Sequence, residues 1–359
     1  MKILHVAPIG PVPEGIGTVL INLVPRQVAL GNQVRIITQF DNVMYRDVDI
    51  CTVQTLQSFK QYIKSWTPDI VLFHSLYEMG YLRFANYLCK VKIPYAVQMH
   101  GALSESNYKK NHLRKVIANF LFFNSFLRKA RGIIFLNKAE YNNCVVRNLN
   151  PNYYILPNGC EKATGLDLSR YVGKIINIIF VGRIVIPHKG LDVLVDSIRI
   201  LKEKGVDDIF ISFYGSEKEL DVVEFKNLIK DMGDIARFKG GVYGKDKSDL
   251  YCNSDLFILT SRYEGMPMGL LEALSYGIPC IVTPGTNMAE EIKDAKAGYV
   301  ANFNAESIAG IIEFASKDYR VHYKDLRQNA YTLSKQFDWD TIAGESIKIL
   351  NNCVKTQII

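Results

Sequence analysis

Short β-branched apolar runs, separated by longer amphipathic stretches, set the rhythm of this chain. In its first half the runs Lys2–Ala7, Gln33–Thr38, Ile70–His74, Tyr95–Met99, Gly132–Leu136 and Tyr153–Leu156 predict strands. An apolar run of about four to eight residues bounded by turn signals suits a strand covered on both faces. A polar break over 160–173 interrupts the rhythm. It restarts with Ile175–Val181, Ile209–Tyr214, Ile235–Lys239, Leu256–Thr260, Pro279–Thr283 and Gly298–Val300. Helical patterns lie between successive strands, and that alternation predicts parallel, doubly wound sheets. The expected fold is α/β, with two Rossmann-like domains over 1–165 and 166–340 facing across a cleft. A last helix over 341–359 follows the aromatic anchor Phe337-Asp338-Trp339 and is expected to pack back on the first domain.

Composition agrees with two packed cores: of 359 residues, 48% are hydrophobic and 22% charged, which excludes a disordered or fibrous chain. No stretch reaches the ~18 apolar residues of a membrane span. The first apolar run is too short for a signal peptide and meets glycine at once, so it reads as a strand. The seven cysteines are scattered singly, without CxxC pairs or histidine partners at metal-ligand spacing, and point to reduced thiols in a cytoplasmic protein. Charge is uneven: residues 1–170 hold 20 Lys and Arg against 10 Asp and Glu. A basic half suits phosphate-rich partners or an anionic membrane surface. The stretch Lys109 to Arg131 adds Lys110, Arg114, Lys115, Arg128 and Lys129 to Phe120, Phe122, Phe123 and Phe126. That pattern fits a helix dipping into an anionic bilayer and fits a core helix equally.

Two segments carry candidate chemistry. In the first, the run Leu256–Thr260 leads through Glu264-Gly265-Met266-Pro267-Met268-Gly269 into a helical pattern holding Glu272. A helix start at the carboxyl end of a parallel strand offers free amides and a positive dipole end to phosphate. Two carboxylates, eight positions apart, would face different parts of an elongated ligand, and a carboxylate accepting two hydroxyls reads a diol. In the second segment the run Ile178–Val181 opens onto Gly182-Arg183 and then His188-Lys189-Gly190-Leu191-Asp192, two cations ahead of a helix. Either segment alone would more often be a solvated loop than a site.

Together these segments closely resemble the carboxyl-terminal domain of retaining GT-B glycosyltransferases of family 4, whose signature is Glu-x7-Glu. The likeness extends along the chain. Leu156-Pro157-Asn158-Gly159 resembles the family's IPNG, Pro68-Asp69-Ile70-Val71 its PDVV, and Met99-His100-Gly101 its His-Gly turn. The resemblance implies a carboxyl domain that binds a nucleotide-diphosphate sugar, UDP-linked on family frequency, and an amino domain that binds the acceptor. It implies that Arg183 and Lys189 hold the diphosphate and that Glu264, with the backbone of Gly265 to Gly269, binds the donor sugar. By the same likeness Glu272 takes the ribose, the base lies near Gly241 and Val242, and His100 touches the transferred sugar. Gly15, Ile16 and Gly17 resemble the family's glycine-rich loop, here split by Ile16, facing acceptor or phosphate. A dehydrogenase fingerprint fits poorly because that loop lacks GxGxxG spacing.

The resemblance further implies retention through same-face attack, with no cofactor or required metal. The acceptor expected is a glycan or lipid-linked glycan of a surface polysaccharide, and the protein is expected to sit peripherally at the inner face of the membrane without nucleic-acid partners. A GT-B epimerase and a non-catalytic nucleotide-sugar-binding protein stay open beside this reading.

Overall fold

The computed structural model describes residues 1–12, 15–101, 122–170, 172–216 and 219–355. They form two compact units, Met1–Gly159 with Trp339–Ile359, and Cys160–Asp338. Where the sequence places boundaries at 165 and 340, the chain changes unit at Gly159/Cys160 and Asp338/Trp339.

The first unit is built on β1 (Lys2–Val6), β2 (Gln33–Thr38), β3 (Ile50–Thr52), β4 (Ile70–His74), β5 (Tyr95–Gln98), β6 (Ile133–Phe135) and β7 (Tyr153–Ile155), in the order β3-β2-β1-β4-β5-β6-β7. Every pairing is parallel. The apolar runs became strands because both faces of the central ones are covered, as in Ile70–His74, buried throughout. The edge strand β3 escaped prediction. It is three residues long, Ile-Cys-Thr, and none of them is fully buried, so no apolar run marks it.

The second unit carries β8 (Ile176–Val181), β9 (Ile209–Tyr214), β10 (Ala236–Gly240), β11 (Leu256–Leu259), β12 (Cys280–Val282) and β13 (Gly298–Val300), ordered β10-β9-β8-β11-β12-β13. Asp255 ties the centre together: its Oδ2 accepts from the Asn177 amide at 2.9 Å, joining the start of β11 to that of β8.

The final helix, Trp339–Lys355, belongs to the first unit. Its buried residues Trp339, Ile342, Ala343, Ser346, Ile349, Leu350 and Cys353 recur every three or four positions, the stripe of a helix lying on a core. Trp339 is 1% exposed and lies over Gly159, where a Cβ would come within 2.3 Å of the indole. The glycine therefore makes room for the anchor.

Within the basic aromatic stretch, Lys109, Lys110, Arg114, Lys115 and Phe120 lie outside the described residues. Of the remainder, Phe123 and Phe126 are core residues, set edge-on against Tyr77 and Phe73. These two rings are thus unavailable to a bilayer, and Phe122 alone of the three is exposed. No helix among the described residues is long and apolar enough to cross a membrane. The seven cysteines are unpaired thiols.

Replacing Trp339 by Ala should lower unfolding stability by about 3–5 kcal/mol through lost burial and the cavity left over Gly159. Urea titration followed by circular dichroism measures it, and an unshifted first-unit transition would show that the helix does not anchor there.

Candidate active site

In the second unit the chain runs outward from β8 to β9 and β10, then returns to β11 on the other side. Neighbouring strands whose connections leave in opposite directions open a crevice at their carboxyl ends, where such sheets bind ligands. Both candidate motifs leave from that crevice. Gly182 and Arg183 follow β8, and Thr260 to Gly269 follow β11.

The two motifs are laced together residue by residue. Lys189 closes the short helix Ile186–Lys189 and is 8% exposed. Its Nζ donates to Glu264 Oε1 at 2.5 Å, and Ser261 Oγ donates to the same oxygen at 2.6 Å. An ammonium this covered needs a counter-charge, and Glu264 supplies it. Next to them the His188 ring stacks on Tyr263 with centroids 4.4 Å apart, and its Nε2 lies 2.8 Å from the Tyr263 carbonyl oxygen. Burial holds the His188 pKa below its ordinary value against the opposing pull of Glu264, with Lys189 and Arg183 also lowering it. The neutral ring donates Nε2–H to that carbonyl. Beyond it Arg262 grips Asp192 with two parallel bonds, 2.8 and 2.6 Å, while its amide donates to the His188 carbonyl at 3.0 Å. Gly190 between them has φ +64°, and a Cβ there would fall 2.1 Å from the Thr260 carbonyl oxygen. Only glycine lets the two loops approach so closely.

This arrangement corrects the picture of two open loop cations. Lys189 is helical, covered and committed to Glu264. Arg183 is exposed and has no ion-pair partner among the described residues.

Glu272 lies inside the helix Met268–Ser275, whose N-cap is Pro267. Pro267 stands just ahead of the first turn. Both oxygens of Glu272 are engaged from the helix Gly244–Cys252: Lys247 Nζ donates at 2.8 Å to Oε1 and Tyr251 OH at 2.9 Å to Oε2. Met266 and Pro267 are buried; Gly265, Met268 and Gly269 are partly exposed. A Cβ at Gly269 would meet the Val181 carbonyl oxygen at 2.6 Å, so the helix start docks on the end of β8. Gly241 and Val242 follow β10. Beside them the exposed Tyr243 hydroxyl is 3.1 Å from Ser216 Oγ.

In the first unit, His100 follows β5 and is partly exposed. Behind it runs a line of buried polar groups across three neighbouring strands. His100 Nε2 is 2.9 Å from His74 Nδ1 on β4, and His74 Nε2 is 2.8 Å from His5 Nδ1 on β1. His5 Nε2 is 2.9 Å from Gln27 Oε1. His100 has φ 48°, a left-handed conformation that costs a residue with a side chain roughly 1–2 kcal/mol. Gly101 after it also has positive φ, and its amide donates to Glu140 Oε1, while Glu140 Oε2 accepts from the Leu136 amide at 2.5 Å. Of the glycine-rich loop, Gly15 is the cap residue and Ile16 and Gly17 form the first helical turn, with Gly17 buried; Pro13 and Glu14 lie outside the described residues.

The groups that sequence reading missed are His5, His74, Gln27, Ser261, Lys247 and Tyr251. A signal existed for the two histidines, since each interrupts or ends a strongly apolar strand, where an unpaired polar group is costly.

Residues 13–163 match the family model Glycosyltransferase Family 4, and residues 172–333 match Glycosyl transferases group 1. Mannosylfructose-phosphate synthase of Agrobacterium fabrum is 27% identical over 188 residues, 50% of this chain and 41% of that protein. The match thus spans less than half of that relative's length. N,N'-diacetylbacillosaminyl-diphospho-undecaprenol alpha-1,3-N-acetylgalactosaminyltransferase of Campylobacter jejuni is 25% identical over 283 residues, 74% of this chain and 72% of that protein. Among solved structures, HepE of Anabaena in complex with UDP superposes with a TM-score of 0.76 at 18% identity, covering 98% of this chain and 100% of that one. Two parallel Rossmann-like units of this kind define the GT-B class of enzymes. The chain belongs to the group 1 glycosyltransferases of that class, the two family models together spanning most of its length.

Burial lowers His5 and His100 to about 4 and also lowers His74, whose two histidine neighbours add to the effect. Their unfolded pKa is higher, so the unfolded chain takes up protons first and stability should fall as pH drops from ~6.5 toward ~4, by up to ~1.4 kcal/mol per pH unit for each ring. Glu140, raised by burial to about 7 despite two amide donors, has the opposite sign and loses its contribution as pH rises through that value. Three rings outweigh one carboxyl. The urea midpoint of the first unit should therefore be lower at pH 5 than at pH 7, and a higher midpoint at pH 5 would contradict the assignment of neutral imidazoles.

Proposed function

We propose that this protein moves a sugar from a uridine diphosphate sugar to a glycan or lipid-linked acceptor of a surface polysaccharide, keeping the configuration at the anomeric carbon and needing no metal. The observation that carries this reading is the Lys189–Glu264 pair at the β8/β11 crevice with Glu272 one helix further on. A laced, part-buried carboxylate cannot swing away, so its free lone pairs and the backbone from Gly265 to Gly269 are fixed in place for sugar hydroxyls. Glu272 stays partly exposed and suits the ribose diol. Arg183 is the open cation for the diphosphate, where negative charge grows as the glycosidic bond breaks, and Lys189 adds its charge from behind Glu264. The carboxylates are tied to cations and hydroxyls, an arrangement that suits same-face attack assisted by the departing phosphate rather than a covalent glycosyl-enzyme. His100 touches the transferred sugar, and Gly241 and Val242 border the base. The Campylobacter relative's name places its acceptor on a diphospho-undecaprenol carrier, which supports a lipid-linked acceptor here.

Uridine diphosphate at ~100 times its dissociation constant should stabilise the protein by ~2.7 kcal/mol, read as a rise in melting temperature. Glu272→Ala should remove most of that rise, and Arg183→Ala should slow turnover more than it weakens nucleotide binding. No response to any nucleoside diphosphate at millimolar concentration would sink the donor assignment.

The lipid-linked acceptor also predicts peripheral membrane attachment through the basic first half. Sedimentation with anionic vesicles should be strong at low salt and fall at high salt, over a Debye length of ~8 Å at physiological ionic strength. It should drop when Lys109, Lys110, Arg114 and Lys115 become Ser. Wild-type protein that ignores anionic vesicles at low salt would redirect the basic half to a soluble, anionic acceptor.

A further inference from the structure

The line of imidazoles behind His100 does not end at Gln27. Gln27 Nε2 lies 2.9 Å from Ser346 Oγ, and that hydroxyl donates to the Ala343 carbonyl at 2.7 Å. His5, His74, Gln27 and Ser346 are all buried to 1% exposure or less, so no solvent competes for their hydrogen bonds. Such a chain has a direction. The Ser346 proton is committed to the carbonyl, so its oxygen accepts from the Gln27 amide NH2. Gln27 Oε1 then faces His5 and accepts its Nε2–H. His5 Nδ1 is left with a lone pair, which takes the Nε2–H of His74, and His74 Nδ1 in turn takes the Nε2–H of His100. Turning the Gln27 amide over would reverse every link and forfeit the Ser346 bond to Ala343, leaving one hydrogen bond fewer.

We propose that the buried relay Ser346–Gln27–His5–His74 fixes His100 as the Nε2–H tautomer, presenting a bare Nδ1 as acceptor for a substrate hydroxyl. His74, His5 and Gln27 are thereby positioning residues that act through His100. The inference rests on the reading that His100 meets the sugar. The backbone supports it independently, since the Gly101 amide is held by Glu140 while His100 is kept in a left-handed conformation. The relay fixes the ring from behind, and this clamp fixes the main chain from the other side. The acceptor Nδ1 selects a hydroxyl, not a phosphate oxygen, as its partner.

Nitrogen-15 spectra of the full chain labelled at its six histidines report each tautomer directly. The expected wild-type result is a protonated Nε2 and a pyridine-like Nδ1 for His5, His74 and His100. Gln27→Leu removes the acceptor at the end of the line and should mix those tautomers. It should also lower kcat for donor hydrolysis roughly tenfold to hundredfold, the scale seen when a metal-bound histidine loses the outer partner that orients it, with little change in the donor KM. A wild-type His100 protonated at Nδ1 overturns the relay whether or not any variant folds, as does a Gln27→Leu spectrum identical to wild type. Wild-type protein with no turnover on any nucleotide sugar would count against glycosyl transfer, and the tautomers would still decide the relay.

Discussion

Lys189 and Glu264 meet at 2.5 Å because two loops from neighbouring strands are forced into one crevice, and much of the second unit's site depends on that contact. Neither charge could sit there alone, since desolvating one without the other is prohibitive. The pair fixes the end of the short helix Ile186–Lys189 against the turn after β11. That leaves His188 over Tyr263 and brings Asp192 into register with the Arg262 fork. With Ser261 on the same Glu264 oxygen, the carboxylate has one orientation. A binding site held this way pays its ordering entropy at folding rather than when ligand arrives.

The first unit solves a related problem without charge. His100, the candidate site residue of this unit, also stands at the end of a central strand, beside the switch between β1 and β4, and it too is held in one orientation. A carboxylate beside His5 or His74 would need a buried counter-charge. The neutral imidazoles and one carboxamide satisfy one another instead, each donor meeting an acceptor. Glu140 is the exception, a covered carboxyl raised to about 7, and it is tolerated because two main-chain amides point at it.

The strands, their parallel order and the two motifs were legible because each depends on local pattern: an apolar run, then glycine, then charge. The edge strand β3 was not, because an exposed three-residue edge has no pattern to read. In the site, Glu264, Lys189 and Glu272 could be singled out by spacing, yet their partners could not. The partner of Lys189 lies 75 positions away, and Lys247 comes from a polar surface-like helix that nothing in sequence ties to Glu272. Phe123 and Phe126 illustrate the converse failure: alternate basic and aromatic residues look like a membrane face, but the core under that helix claims two of the rings.

The final helix shows why the units cannot be read as beads on a string. Trp339 and Ser346 are separated from Gly159 and Gln27 by the whole of the second unit, yet they complete the first unit's core and its buried polar line. The chain leaves and returns at adjacent points: the Cys160 amide donates to the Phe337 carbonyl at 2.7 Å, and Cys160 pairs with Asp338 as an isolated parallel bridge. The second unit therefore closes on itself at its own ends, so inserting it opens no gap in the first. A first unit cut after Gly159 would expose the bed of Trp339 and leave the Gln27 amide without Ser346. The group that sets the direction of the histidine line is thus supplied by the helix that ends the described chain.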